Sequence, residues 1–294
     1  MKGSRHYDNA KAFRKALEDR LAAMAKKEGV DIQRLRRQVA FDRLLSRFFV
    51  KPESPWILKG GYALQLRMKA SRTTRDVDLA IRDFLFATEE WEKSAQTVLE
   101  LLQKAVEVDC NDFFVFTINL PVLDLDAAPY GGARYPVDAN MDGRNFVKFH
   151  LDVSAGDVLR EPYTWLGGRD WLGFAGIPTR KFPTITAEEH FAEKLHAYTL
   201  PRSGRPNSRV KDLVDMVLLI ERGHLDPAGL VQSIQSTFRR RKTHEMPSTL
   251  SLPPVFWEKP FSEMAAECGV DPNIRTAFNK VKGFLEGILL LKPV

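Results

Sequence analysis

Two aspartates separated by one residue, Asp76-Val77-Asp78, stand at the head of the apolar run Leu79-Ala80-Ile81. In a strand, positions i and i+2 face the same way, so both carboxylates would point to one side. They would repel each other unless a cation lay between them. Such a pair suits a hard divalent ion such as Mg2+, which takes oxygen ligands and shares them with substrate phosphates. Two such ions can activate an attacking oxygen and steady a leaving one. A third carboxylate from a neighbouring strand would complete the set. Asp152, within Phe149-His150-Leu151-Asp152-Val153, is the candidate metal ligand. Taken alone, an Asp-x-Asp pair is more often a solvated strand end, so its neighbours decide.

Upstream, Gly60-Gly61 follow the apolar stretch Trp56-Ile57-Leu58 and lead into Ala63, Leu64 and Leu66. Glycines between a strand and a helix let backbone N–H groups approach a phosphate with no Cβ in the way, although a tight turn would use them too. Downstream, Lys194 sits among Phe191, Ala192, Leu195 and Ala197, where it either snorkels or meets a phosphate as a point charge. In Arg209-Val210-Lys211-Asp212-Leu213-Val214-Asp215, Asp212 falls in the first turn of a further helix and Asp215 one turn later. The helix dipole alone would favour an acid at Asp212. Arg75 and Arg209 are candidate helpers on a nucleotide. Arg202, Arg205 and Arg209 in one loop, and the run Arg239, Arg240, Arg241 and Lys242, are candidates for RNA phosphate contacts. A helix C-terminus would accept that last run anyway.

These residues need a scaffold, and periodicity predicts one. Helical spacing over residues 9–28 and 31–50, broken at Gly29, predicts a helical hairpin. Short strands are expected at 55–58 and 76–81, with a short helix after the glycines between them. An amphipathic helix is expected over 88–108, and strands over 111–120 and 146–153. Thr186-Ala187-Glu188-Glu189 is a capping-box signature opening a helix that runs to about Leu200. Further helices are expected from about Val210 to Glu221, at 227–238 and at 272–290, with a Pro-rich, poorly periodic stretch over 243–262. The expected fold class is α+β. Residues 1–183 form a mixed-sheet lobe with the N-terminal helical hairpin, and residues 184–294 form a helical lobe that completes the active site.

Forty-four Lys and Arg against 38 Asp and Glu leave a net charge of +6, a mild preference for polyanionic partners. Cys110 and Cys268 lack metal-ligand spacing, so neither a zinc site nor a disulfide framework is expected, and a reducing compartment fits better. The N-terminus has no apolar signal core, and no run of about 18 apolar residues occurs. A cytoplasmic globular protein with no membrane span is the expectation.

The pieces KGGYALQLR, SRTTRDVDLAI, AEEHFAEKLHAYTL and SRVKDLVDMVLL occur in this order between about Trp56 and Glu221. Together they resemble the AbiEii/AbiGii toxin family, which includes the MenT toxins and shares the polymerase-β-type nucleotidyltransferase fold. A weaker likeness continues through Ser236–Arg241. The resemblance implies that Gly60 and Gly61 cradle a nucleoside triphosphate, that Asp76 and Asp78 hold Mg2+, and that Lys194 contacts phosphates. It makes Asp212 the acid of the Lys-Asp-Leu-x-Asp motif, with Asp215 beside it. Gly61 stands where the wider superfamily has serine, and Arg75 where the family often has an acid or polar residue. The implied activity is Mg2+-dependent transfer of a nucleoside monophosphate to RNA, at a tRNA 3′ end, by a toxin of a type IV-like system opposed by a cognate antitoxin. The alternatives are nucleotidylation of a protein or small molecule, or non-catalytic RNA or partner binding on the same fold. Small cationic acceptors favour an acidic pocket, whereas this chain is basic. The presence of Asp76, Asp78 and Lys194 weighs against a non-catalytic role.

Overall fold

The computed structural model describes residues 6–51, 53–68, 72–84, 90–125, 128–202, 206–247 and 249–290. The chain divides into two compact units: Met1–Tyr62, Thr73–Gly156 and Trp165–Thr184 form the first, and Ala63–Arg72, Asp157–Thr164 and Ile185–Val294 the second. The first begins with helices α1 (Ala10–Glu28) and α2 (Ile32–Phe48). Asn9 and Asp31 cap their N-termini with side-chain oxygens, and Gly29 ends α1 in the left-handed conformation. There follow β1 (Trp56–Lys59), α3 (Gly60–Met68), which continues into the second unit, β2 (Asp76–Ile81) and α4 (Trp91–Val106). Then come β3 (Val115–Ile118), β4 (Leu123–Asp124), β5 (Gly132–Met141), β6 (Arg144–Ala155), β7 (Thr164–Gly167) and β8 (Lys181–Thr184).

The strands form one mixed sheet in the order β3-β5-β6-β2-β1-β8-β7, with β4 also pairing on β5. Its longest ladder is the β5–β6 hairpin, turned by Asp142-Gly143, both at positive φ (55° and 64°). That is the conformation a type I′ turn demands and Asp-Gly supplies. Along β5 and β6 alternate residues are buried, so Tyr135, Val137, Phe149, Leu151 and Val153 face a core and their neighbours face out. Helices α2 and α4 cover the buried face. Phe41 meets Phe149 edge-on at 4.8 Å, and the Tyr135 hydroxyl donates to the Ala95 carbonyl at 2.9 Å. Sequence periodicity missed β5 altogether, because Pro136 and the glycines at its head mask the alternation. The helix expected over 88–108 is shorter, and the strand expected over 111–120 narrows to β3.

A charged cluster lies inside this unit. Asp112 receives Arg43 Nε at 2.6 Å and Arg47 Nη2 at 2.7 Å, and all three side chains are buried. Burial pushes the Asp112 carboxyl up, but the two guanidiniums hold it below the usual carboxylate range.

In the second unit, α5 (Ala187–Thr199) opens with the expected capping box between Thr186 and Glu189. It is followed by α6 (Val210–Arg222), α7 (Pro227–Arg241), α8 (Glu258–Cys268) and α9 (Ile274–Leu289). Phe191, Leu195, Leu213, Val217, Trp257, Phe261 and Val281 share its apolar core. Helix α8 begins inside the stretch read as unpatterned. Pro260 lies in its first turn, where the missing N–H costs nothing, so a proline that looks like a breaker is tolerated. Among the described residues no helix is long and apolar enough to cross a membrane.

Removing one member of a buried ion cluster strands the others without compensation. Asp112→Ala is therefore expected to cost about 3–5 kcal/mol, read as a lower urea midpoint at unchanged slope.

Candidate active site

The register of β2 against its neighbours sets the chemistry of the sheet face opposite α2 and α4. Strand β2 runs parallel to β6, so Asp76 pairs with His150 and Asp78 with Asp152. On one flank β1 places Lys59 opposite Asp78, and on the other β5 places Arg134 opposite Asp152. Paired residues share a face. The sheet thus carries Lys59, Asp78, Asp152 and Arg134 in one row, with Asp76 and His150 in the next. The burial pattern agrees: Asp76, Asp78, Asp152 and Arg134 are half-buried, whereas Val77, Leu151 and Tyr135 between them are buried. The strand expected for Asp76 to Ile81 forms with those bounds, and Asp152 lies on the strand beside it, as strand pairing suggested.

Arg134 was not anticipated. Its Nε and Nη2 each donate to one oxygen of Asp152 at 2.7 Å, a two-bond fork. The Arg134 pKa is raised first by that hydrogen bond, against burial, then by the charges of Asp152, Asp76 and Asp78. One cation therefore acts on all three carboxylates. His150 lies with Nδ1 at 3.4 Å from Asp76 Oδ1 and was likewise missed as a site neighbour. The signal that would have found Arg134 is the alternation of Ala133, Tyr135, Val137 and Ala139 ahead of the Asp-Gly turn.

The glycine pair touches this row directly. Gly60 has φ +64°, and a Cβ built on it would overlap the Asp78 carboxylate. The Gly61 N–H donates to Asp78 Oδ2 at 3.3 Å. The first service of these glycines is thus to let the start of α3 close on Asp78. Arg75, expected near the nucleotide, is exposed at the head of β2. Among the described residues no three His, Cys, Asp or Glu side chains are gathered as a ready-made metal cage.

In the second unit, Lys194 Nζ lies 3.1 Å from Asp212 Oδ1 and 3.0 Å from Asp215 Oδ2. Arg72 forks onto Asp215 at 2.9 and 2.8 Å. Arg209 stands 3.8 Å from the other Asp212 oxygen. Asp215, whose part was open, is thereby the shared partner of Arg72 and Lys194. Burial would raise its carboxyl, but Lys194 and Arg72 bring it down to about 2. Burial disfavours the Lys194 ammonium, yet Asp212 and Asp215 more than restore it, so its pKa rises. His190, fully buried and with no hydrogen-bond partner for either ring nitrogen among the described residues, has its pKa pushed well below the ordinary imidazole value, first by burial and then by the charge of Lys194.

Of the residues expected to meet RNA, Arg239 and Lys242 are exposed at the end of α7, as is Arg240. Arg241 turns inward to Asp157 at 2.9 Å and Glu193 at 3.5 Å, so its charge is spent inside the unit. Arg202 is half-buried, and Arg205 lies outside the described residues.

A family model described as nucleotidyl transferase AbiEii toxin, type IV toxin–antitoxin system, matches residues 43–281. Among solved structures the chain is similar to MenT4, a nucleotidyltransferase toxin from Mycobacterium tuberculosis H37Rv. The TM-score is 0.52 at 16% identity, covering 92% of this chain and 98% of that one. It is also similar to JHP933 from Helicobacter pylori, with a TM-score of 0.45 at 15% identity, covering 89% and 99%. No curated protein matches the chain. At these identities the structural likeness bears on the fold alone.

Gly60→Ala forces both an unfavourable φ and an overlap with Asp78. It is expected to cost about 1–3 kcal/mol in thermal or urea unfolding, the range for a strained backbone position. Asp215 supplies a pH signature. Its folded pKa lies below the unfolded value, so its contribution is full above about pH 4 and lost as pH falls toward 2. Acid titration of unfolding free energy is expected to show about 2 kcal/mol of such loss, absent in Asp215→Asn.

Proposed function

Since the chain belongs to the AbiEii family of nucleotidyltransferase toxins of type IV toxin–antitoxin systems, we propose that it transfers a nucleoside monophosphate from a nucleoside triphosphate to the 3′ end of an RNA, a tRNA above all. The observation that carries this reading is the placement of Asp78 beside Asp152, with Asp76 on the same sheet face and the Gly60-Gly61 turn closed on Asp78.

The donor set is made of carboxylate oxygens, which fits Mg2+, an ion commonly held by one or two carboxylates together with substrate phosphates. Asp76 and Asp78 would hold it. Bound there, it would neutralise charge on the triphosphate and polarise the α-phosphorus. The protein's own contribution is placement. The N-terminus of α3, opened by Gly60 and Gly61, presents N–H groups and a positive dipole end suited to phosphate oxygens. The acceptor hydroxyl gives up its proton to solvent as its oxygen attacks the α-phosphorus, the bond to the bridging oxygen breaks, and pyrophosphate leaves. Catalysis of this kind rests on positioning and charge compensation rather than on a covalent intermediate. Lys194, paired with Asp212 and Asp215 inside the second unit, keeps its charge because those two carboxylates hold its ammonium protonated.

An RNA acceptor is supported by the net charge of +6 and by the exposed Arg239, Arg240 and Lys242 at the end of α7. The family implies a cognate antitoxin as the physiological opponent.

Incubation with each α-labelled nucleoside triphosphate, Mg2+ and total tRNA tests the reading. Label is expected on RNA, from one preferred nucleotide, and is abolished by chelator. Asp78→Ala, folded by circular dichroism, is expected to lower transfer about 100-fold or more. Label that appears on protein, or on nothing, would overturn the RNA reading.

A further inference from the structure

Three carboxylates share one face of the sheet, and the cation forked onto one of them is part of the protein. Arg134 takes both oxygens of Asp152 at 2.7 Å. Asp152 stands beside Asp78 in register, with Asp76 two residues along the same strand. At the far end of the row, Lys59 pairs in register with Asp78. His150 lies against Asp76. These are the charged and titratable groups that β1, β2, β5 and β6 present around the three acids. A guanidinium here does two things to an incoming divalent cation. It occupies the Asp152 oxygens that would otherwise be ligands, and it reduces the negative potential that draws the cation in.

We propose that Arg134 is a built-in counter-charge of the Asp76, Asp78 and Asp152 row. It keeps Asp152 out of the ligand set and lowers the row's affinity for a bare divalent cation, so that the cation binds together with the nucleotide phosphates rather than ahead of them. The inference rests on the metal-site reading above. It gives Arg134 a positioning role, acting through Asp152 and through its field rather than by touching the reacting atoms. It also explains how a triphosphate can approach an acidic face. With Asp152 left uncompensated beside Asp76 and Asp78, the site would take up a cation early and then repel the nucleotide. With one carboxylate neutralised, the remaining pair and the phosphates share the ion.

The test uses Mn2+ alone, titrated into the nucleotide-free full chain, with free Mn2+ read by electron paramagnetic resonance and folding by circular dichroism. Arg134→Gln is expected to tighten Mn2+ binding about tenfold by restoring one full negative charge within a few ångströms of the ion. Adding Asp152→Asn to R134Q removes that charge again and is expected to return affinity to within about twofold of the starting protein. Unchanged or weaker binding in folded R134Q overturns the proposal. Weaker binding is the result expected if Arg134 merely orients Asp152 as a ligand. A double variant that stays tight overturns it as well. If R134Q does not fold, Arg134→Lys, which keeps the charge, is expected to bind within about threefold of the starting protein, and a larger change overturns the charge argument. Asp78→Ala in both backgrounds separates the two levels. Mn2+ binding that ignores Asp78, or no binding in any variant, sinks the metal site itself. Asp78-dependent binding that R134Q leaves unchanged sinks the role of Arg134 alone.

Discussion

Parallel pairing of β2 with β6 puts Asp78 beside Asp152 and leaves Asp76 on the same face. Like charges at that spacing repel by about a kilocalorie per mole or more, depending on how much water screens them. The surrounding structure reads as a set of answers to that repulsion. The β5–β6 hairpin brings Arg134 onto Asp152, and β1 brings Lys59 opposite Asp78. The start of α3 donates a backbone N–H to Asp78, which requires glycine at 60 so that no Cβ intrudes. The buried side of the same strands, with Val77, Leu151 and Tyr135 in the core and α2 on β6 and α4 on β5, fixes the register in turn. A slip by one residue would carry the carboxylates into the core.

Each compact unit also buries a charged cluster that the apolar pattern does not ask for. Arg43 and Arg47 close on Asp112 in the first; Arg72, Lys194, Asp212 and Asp215 interlock in the second. Buried ion pairs add little net stability over an apolar packing, but once built they make each member costly to lose. In the second unit the pairing has a chemical consequence as well. It holds Lys194 charged and Asp215 ionised in an environment where burial opposes both.

Strand β2 and helices α1, α2, α5 and α6 could be read from the sequence nearly to their ends, because capping residues and apolar spacing act within a few residues. The capping box of Thr186 and Glu189 is entirely local and formed as written. Elements carrying a proline were harder. Pro136 hid β5, and Pro260 hid the start of α8, although Pro260 sits in the first turn of its helix, where the missing N–H does no harm. The acid pair Asp76 and Asp78 was recognisable by spacing, and Asp152 by the apolar run around it. Arg134 and His150 were not: the alternation around Arg134 places it on a face of β5, but nothing near either residue in the chain announces a carboxylate partner.

By itself the sequence determined which residue types stand on which face of which element: two carboxylates on one side of β2, glycines at the start of α3, a lysine and two acids on the faces of α5 and α6. It also carried enough ordered motif to place the chain among the nucleotidyltransferase toxins. Only tertiary structure decided the partners. Arg72 finds Asp215 across 143 residues, and Arg134 reaches Asp152 through a hairpin register. Charge pairing depends on distance in space, and strand register and helix packing set that distance by burying apolar side chains that carry no record of the charges they bring together.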